Sequence, residues 1–378
     1  MLSLFVGLWS IPVVLAEEPS SSSTAGPDVV TTAIAIIEER LGPEVDASLL
    51  YQTAAQEVAG ELDSLMGHPG NAVLTQAQLD YAEAWRLGWR DGIGVKFRLI
   101  AGQGLLVTDT IESSSAAGVG LQKGDLIVGI DDRSLEGLDA SDVLACVQSQ
   151  TESSRTLDYR RDSQLSRVVL ERRPYQMHNM HLVRERGQPP VIELDFFGED
   201  SSSELQERLR ALSEEGCVVL DLRDNQGGML EEAIAGASFF LEPGSIVMQR
   251  VTFDGDSRAV TSNRARSWTD DVVVLVNGGT GGPAEAFAVA LQGHRAATVV
   301  GTQTAGNAGL PNFHELGSGL VLQLTDEFMR GPMGDEWSGQ GLSPDVTIEP
   351  VDYMLKPKAG VAPPDLQRDA ALRLCTPR

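Results

Sequence analysis

From Pro190 onward, short apolar runs alternate with helical segments, and few folds accommodate such a pattern. The runs have the length and β-branched composition of buried strands: VIELDFF, CVVLDLR, VVVLVN and ATVVG. This alternation predicts βαβ units around a largely parallel sheet. Because ligands bind at the carboxyl ends of strands in such sheets, the glycine-rich turns DNQGG and NGGTGGP are the first candidates for a functional site.

Three further regions are expected around this α/β core, which we place at 174–355. Apolar residues at helical spacing predict an N-terminal helical region over 29–90, in which Thr75 and Gln78 form a capping box. Short strands, a hairpin near 161–164 and a helix over LDASDVLACVQSQ predict a separate β module over 91–173. Residues 356–378 are expected to form a C-terminal helix and tail.

The first residues have the pattern of a secretory signal peptide, which predicts an exported protein, periplasmic or extracellular. An apolar run ends at the small residue Ala16, and a serine-rich linker covers 17–28. The three cysteines are Cys146, Cys217 and Cys375, and an odd, sparse set predicts no disulfide framework. We interpret Cys217 as a small buried apolar residue.

Composition excludes several partners and cofactors. A net charge of -25 disfavours nucleic acid and an anionic membrane surface, because both attract basic patches. Neither glycine-rich turn continues as a phosphate-binding loop, so no nucleotide cofactor is expected. His178 and His181 have no evident third ligand, which makes a metal site improbable.

Taken together and in order, several segments resemble known motifs. GLQKGDLIVGIDD resembles the centre of a PDZ module, while LDLRDNQGG, VLVNGG…AEAF, VVGTQTAG and GQGLSPDV resemble successive motifs of the carboxy-terminal processing, or tail-specific, serine peptidases. The resemblance covers roughly residues 29 to 375. It implies an α/β core of the tail-specific protease type, with a crotonase-like spiral sheet, an inserted PDZ-like β module and an N-terminal helical region.

The resemblance also implies where the catalytic residues of the family should lie. Glu285 matches a glutamate that the family places three positions after its serine, so Gly282 occupies the serine position. The lysine base falls twenty-five positions later, at Asn307, and the glutamine that orients this lysine falls at Pro311. Glycine has no nucleophile, and an amide cannot accept a proton near neutral pH. Family-type Ser–Lys hydrolysis is therefore not expected.

The oxyanion donors of the family are also affected. One donor is the backbone N–H just after the serine, and Pro283 has none there. A second donor, at Gly227 or Gly228, remains available in the sequence. The four lysines of the chain are Lys96, Lys123, Lys356 and Lys358, so no lysine lies within the core segment.

The PDZ-like module retains its characteristic loop. The residues Gly92, Ile93, Gly94 and Val95 resemble the loop whose backbone N–H groups bind a terminal carboxylate. The resemblance therefore implies that polypeptide C-terminal tails are the partners, and the residues at the catalytic positions predict that the tails are bound without proteolysis.

Two alternatives remain open. The first is an active peptidase with a displaced nucleophile, for which Thr280 is better interpreted as structural, and His294 or His314 is a weak candidate base. The second is a binder of a small apolar ligand in the former active site. The interphotoreceptor retinoid-binding proteins, whose core fold is similar, bind apolar ligands in this way.

Overall fold

The structure is a computed structural model, and it describes residues 28–41, 46–66, 70–100, 102–138, 142–143, 146–147, 153–350 and 364–375. The expected signal peptide and most of the linker lie outside these residues, as does much of the helix expected over 138–150. The chain divides into two compact units, one up to Gly60 and one from Glu61 onward.

Eight helices are described in these ranges. They are α1 (Asp28–Leu41), α2 (Ala47–Met66), α3 (Gln76–Arg86), α4 (Ser115–Gly118), α5 (Ser201–Ala211), α6 (Leu230–Ser238), α7 (Pro283–Gly293) and α8 (Leu366–Leu374). The capping box expected at Thr75 and Gln78 is present at the start of α3. None of the described helices combines the length and the apolar character needed to cross a membrane.

The described strands fall into four sheets. The strands that precede or form the β module are β1 (Ala72–Thr75), β2 (Trp89–Gly92), β3 (Val95–Ile100), β4 (Gly104–Thr110), β5 (Leu126–Ile130), β6 (Arg133–Ser134), β7 (Ser154–Arg161), β8 (Gln164–Glu171) and β9 (Arg173–Gln176). Those of the core are β10 (Met180–Val183), β11 (Val191–Leu194), β12 (Cys217–Asp221), β13 (Ile246–Thr252), β14 (Ser257–Thr261), β15 (Asp271–Val276), β16 (Thr298–Gly301), β17 (Gly309–Gly317), β18 (Leu320–Arg330) and β19 (Val346–Thr347).

The central sheet of the core has the order β10-β11-β12-β15-β16-β19, and all of its pairings except β10–β11 are parallel. Its strands read as continuous apolar runs because both faces are covered. Val218 and Leu220 of β12 belong to the larger apolar cluster beside α5, α6 and α7, whereas Cys217 and Val219 pack with Ala371 of α8 on the opposite face. The predicted βαβ core is confirmed.

A second core sheet is antiparallel, with the order β1-β18-β13-β14 and β17 paired to β18. β1 lies inside the segment that we expected to be purely helical, yet it pairs with β18 from Ala72↔Gln323 to Thr75↔Leu320. A four-residue strand whose partner lies about 250 residues away leaves little local signal, because β pairing is set by cross-strand contacts.

The β module is a sheet of order β3-β4-β5-β7-β8 with β6 paired to β5. It closes around an apolar cluster that includes Leu105, Ile127 and Leu157. β2 leads into the module and β9 leads out of it, and these two strands pair with each other. β3 lies at one edge of the sheet, and no other described strand pairs with its second side, which could accept an added strand.

The cysteines depart from our expectation. Cys217, the first residue of β12, is bonded to Cys375 at the end of α8, across a sequence separation of 158 residues. Cys217 is buried as expected, and so is Cys375, but Cys217 is not the unbonded apolar residue that we predicted from the sparse cysteine set. The bond forms because α8 returns to cover the sheet, which the spacing of the cysteines in the sequence cannot reveal. Cys146, in the β module, is free and buried.

Candidate functional site

Three turns meet at the carboxyl edge of the parallel sheet, after the adjacent strands β12, β15 and β16. The N–H of Gly281 donates to the carbonyl of Asn225 at 2.9 Å, which joins the first two turns. The N–H of Ala305 donates to the carbonyl of Thr280 at 2.9 Å, which joins the second and third. The positions singled out in the two glycine-rich turns are thus close in space.

Gly282 lies on the sharp turn between β15 and α7, with φ 56° and ψ -127°. This left-handed φ is strained for any residue with a Cβ, and strained strand-to-helix turns are where exposed nucleophiles are held in α/β hydrolases. A Cβ added at Gly282 would meet nothing closer than the carbonyl oxygen of Gln226 at 3.5 Å. The backbone thus keeps the geometry of a nucleophile turn, and the glycine leaves it without a side chain.

The positions expected to hold the base and its partner contain no group that can take a proton. Asn307 is exposed, and its Cβ lies 3.8 Å from where a Cβ on Gly281 would lie, so the 307 position faces the 282 turn. Pro311 is exposed on β17, opposite Thr325 of β18.

Glu285 is the buried centre of this edge. Its carboxylate accepts hydrogen bonds from Gly282 N at 3.0 Å, Gly306 N at 2.7 Å, Asn307 N at 2.7 Å and the hydroxyl of Thr304. Burial raises the pKa of Glu285 above its usual value, and these four hydrogen bonds act in the opposite direction. The Glu285 side chain therefore holds the turn at Gly282 against the turn at Gly306 and Asn307. The sequence motif did not reveal this role.

The N-terminus of α7 offers no free donor to an oxyanion. Pro283 has no N–H, while the N–H groups of Ala284 and Glu285 donate to Gly281 and Gly282. The remaining N–H at this turn, that of Gly282, is bound to the carboxylate described above. Every backbone donor of this helix start is therefore occupied or missing.

The opposite turn retains one donor. The N–H of Gly227 binds the side-chain oxygen of Asn225 at 2.8 Å, and Pro283 Cδ lies 2.4 Å from where a Cβ on Gly227 would lie. The N–H of Gly228 donates to no acceptor within the described part of the chain. Of the two glycines in the predicted oxyanion region, only Gly228 keeps an available N–H.

Thr280 lies in the second turn but its hydroxyl is not free to react, and the alternative bases lie on other segments. The hydroxyl of Thr280 is buried and donates to the carbonyl of Leu222 at 2.8 Å, which is a structural contact. His294 lies at the far end of α7, an eleven-residue helix about 16 Å long, and its Nε2 lies 2.7 Å from the carbonyl oxygen of Ile246. His314 is exposed on β17.

Lys96 reaches the core from the β module, which sequence reasoning missed. Its Nζ lies 2.5 Å from Oδ1 of Asp195, the residue that follows β11. No lysine base was expected anywhere in the core, because no lysine lies between Lys123 and Lys356, yet Lys96 of the β module reaches it. Since its ammonium is bound to a carboxylate, Lys96 makes an ion pair here.

The loop Gly92–Val95 leads into the edge strand β3. The carbonyls of Ile93 and Gly94 are bound by the N–H groups of Ala116 and Ile111, at 3.0 Å each. The N–H groups of Ile93 and Gly94 donate to no acceptor among the described residues. The loop thus holds its carbonyls inward and leaves N–H groups available, as an anion-binding loop requires.

An apolar cavity of about 50 Å³ lies beside β3. Its lining is apolar except for one arginine: Ile93, Val95, Phe97, Leu105, Ile127, Ile130, Val147, Arg155 and Leu157. The guanidinium of Arg155 is itself bound to Asp131 and to the carbonyls of Cys146 and Val147. The cavity is therefore an apolar space bordered by Ile93 of the loop and Val95 and Phe97 of β3.

Comparison with known proteins agrees with this architecture. Residues 190–348 match the model of peptidase family S41, and residues 106–161 match a PDZ domain. A probable CtpA-like serine protease of Staphylococcus aureus (strain COL) is 30% identical over 313 residues, which cover 82% of this chain and 62% of the relative. The chain therefore spans about three fifths of the length of this curated relative.

Solved structures show the same fold. The photosystem II D1 C-terminal processing protease has a TM-score of 0.54 and 20% identity, over 84% of this chain and 86% of that one. A putative S41 protease from Bacteroides fragilis NCTC 9343 has a TM-score of 0.53 and 18% identity, over 75% and 82% of the two chains. The chain therefore combines a PDZ domain with a region of peptidase family S41, which is the architecture of the carboxy-terminal processing proteases it resembles.

Proposed function

We propose that this chain binds polypeptide C-terminal tails through its PDZ domain and does not cut them. The absence of cutting is supported by the N-terminus of α7, where Gly282 supplies no nucleophile and no backbone N–H is free. Acyl transfer requires a nucleophile, a base and oxyanion donors together. Asn307, Pro311 and Pro283 supply none of these.

Tail binding is supported by the loop and edge strand of the PDZ domain. A peptide added to the free edge of β3 would gain backbone hydrogen bonds, and its terminal carboxylate would meet the free N–H groups of Ile93 and Gly94. The neighbouring apolar cavity would take the last side chain of the tail.

Export is supported by the disulfide between Cys217 and Cys375. Stable disulfides persist in oxidising compartments and are rare in the cytosol. We therefore propose that residues 1–16 are a signal peptide, 17–28 a linker and 29–90 an N-terminal region, followed by the PDZ domain at 91–173, the core at 174–355 and a tail at 356–378.

Neither alternative function gains support from the described geometry. A displaced nucleophile would have to lie near Gly282, where Thr280 is turned into the core. The two cavities described lie in the PDZ domain and near residues 184–190, so neither lies at the former active site, where an apolar ligand would bind.

Binding should depend on the free carboxylate of the tail. We expect a fluorescent peptide with an apolar last residue to lose at least about tenfold in affinity when its C-terminus is amidated, since hydrogen bonds to a charged group contribute about 1.5–3 kcal/mol. Fluorescence polarisation measures this difference. Equal affinity of the acid and the amide would contradict binding through the loop.

Two variants test whether the tail binds at the loop and cavity of the PDZ domain. Ile93→Asp places a carboxylate at the cavity and should weaken binding by a similar factor. The matched control is Val169→Asp, because Val169 is exposed on β8, at the opposite edge of the same sheet. Equal losses in both variants would place the tail elsewhere.

A further inference from the structure

The antiparallel sheet of the core has two edge strands of different character. β14 is five residues long and carries Arg258, and its apolar residues are Ala259 and the partly buried Val260. β17 is nine residues long, its sequence contains no lysine or arginine, and it exposes Phe313 and Leu316 by 47% and 49%. Short, charged edges resist pairing, whereas a long edge with exposed apolar side chains favours it. The comparison indicates that β17 is the edge that accepts another strand.

The second side of β17 has a regular backbone. β17 pairs with β18 along one side, and no other strand among the described residues pairs with its second side. Two bulges lie near its ends, and the register is continuous from Pro311↔Thr325 to Glu315↔Val321, with Phe313 at its centre. An extended peptide added there would gain backbone hydrogen bonds, and the side chains on one of its faces would contact Phe313.

β17 begins at the candidate site. The N–H of Asn307 is bound to the carboxylate of Glu285, which fixes the turn that faces Gly282. The carbonyl of Ala308 accepts a hydrogen bond from the N–H of Met329 at 2.8 Å, and β17 starts at the next residue. A chain paired with β17 would therefore have one end beside the turn at Gly282.

The PDZ domain meets the core at the same edge of the central sheet. Asp195 follows β11, and its Oδ1 lies 2.5 Å from Nζ of Lys96 on β3. The next residue is Phe196, whose Cζ lies 2.8 Å from where a Cβ on Gly228 would lie. The strand order β11-β12-β15-β16 places the turn after β11 at one end of a row of turns and the turn before β17 at the other. The peptide-binding edge of the PDZ domain and β17 thus lie at the two ends of the candidate site.

We propose that β17 binds an extended, apolar segment of the same polypeptide whose C-terminus is held by the PDZ domain. This inference rests on the proposed function and adds a second binding surface for the tail. The segment lies upstream of the terminal residues, passes the turns at Gly228 and Gly282, and pairs with the second side of β17. Phe313 and Leu316 contact its apolar side chains.

The charge of the chain argues against a second copy of the protein as the partner of β17. Each copy has a net charge of -25, so two copies repel each other. A tail that the PDZ domain already holds is instead present at the high effective concentration of an intramolecular partner. The tail is therefore the favoured occupant of this edge.

The geometry of the sheet sets the length of tail that reaches both surfaces. The row from β11 to β16 contains three strand spacings of about 4.8 Å each, which is about 14 Å in all. An extended chain advances about 3.3 Å per residue, so about four or five residues cross this row. With a few more residues on β3 and on β17, tails shorter than about ten residues reach the PDZ domain alone.

Two peptides with the same apolar C-terminus test the proposal on the full chain. One has about six residues, and the other has about twenty, with apolar and uncharged polar residues alternating upstream. We expect the long peptide to bind at least about tenfold more tightly, because its second contact is intramolecular. Fluorescence polarisation measures both affinities. Hydrogen exchange followed by mass spectrometry should show slower exchange of the backbone amides of 309–317 with the long peptide and not with the short one.

Three variants assign the two contacts. Phe313→Lys should reduce the affinity for the long peptide to that for the short one, and unchanged binding of the short peptide shows that this variant is folded. Ile93→Asp should weaken the binding of both peptides. Phe253→Lys is the matched control, because Phe253 is an exposed phenylalanine in the connection between β13 and β14, and it should change neither affinity.

The two peptides also separate this inference from the proposed function. Equal affinity of the long and short peptides, or a long-peptide affinity that Phe313→Lys does not change, would overturn this inference alone. Failure of both peptides to bind would contradict the proposed function as well. Protection of 309–317 that rises with protein concentration in the absence of peptide would assign β17 to a second copy and would also overturn the inference.

Discussion

Replacing both Cys217 and Cys375 with alanine is expected to lower the free energy of unfolding by about 4–5 kcal/mol. The bond closes a long loop, with a sequence separation of 158 residues, and long loops lose most entropy when cross-linked in the unfolded state. It also fastens α8 to one face of the central sheet, where Ala371 and Val219 are fully buried. Urea unfolding of the oxidised protein and the variant measures the difference.

The matched control for this comparison is Cys146→Ala. Cys146 is buried but free, so its loss should cost only about 1 kcal/mol, the transfer free energy of a small side chain. A double variant as stable as the control would contradict a structural role for the bond, and it would remove the main support for an oxidising compartment.

Restoring the family residues as Gly282→Ser with Asn307→Lys is expected to give little peptidase activity. Gly282 has room for a serine, and the 307 position faces the same turn. The oxyanion donor after the serine would still be absent, because Pro283 has no N–H. The missing donor alone costs about 10²–10³ in rate.

Adding Pro283→Ala should recover that factor. The triple variant is expected to cleave an unstructured, apolar-ended polypeptide about 10²–10³ times faster than the double variant, measured as initial rates at one substrate concentration. Pro283→Ala alone, which supplies a donor but no nucleophile, serves as the control and should stay inactive. Strong turnover by the double variant would show that the geometry assigned to this helix start is wrong.

The parallel core was predictable because its strands are buried on both faces and therefore read as uninterrupted apolar runs. The antiparallel sheet was not recognised. β17 is exposed along much of its length, and β1 finds its partner only through a distant strand. Exposed or distant pairing leaves no local periodicity to detect.

In the candidate site, too, only features with a local sequence signal were predictable. Spacing in the sequence located Gly282 and Asn307 through their resemblance to a motif, since the segment between them is continuous. Three features could not be predicted: the four hydrogen bonds accepted by Glu285, the disulfide, and the ion pair between Lys96 and Asp195. Each of these features either joins segments that are distant in sequence or is made by backbone groups, which carry no residue signature.

The most direct test of the central claim is to measure whether a bound tail is cut. The purified protein should be incubated with an unstructured polypeptide that has a free, apolar C-terminus, and the polypeptide followed by intact-mass spectrometry while size-exclusion chromatography reports its binding. We expect the polypeptide to co-elute with the protein and to keep its full mass throughout. Steady cleavage that co-purifies with the protein at constant specific activity would contradict the account.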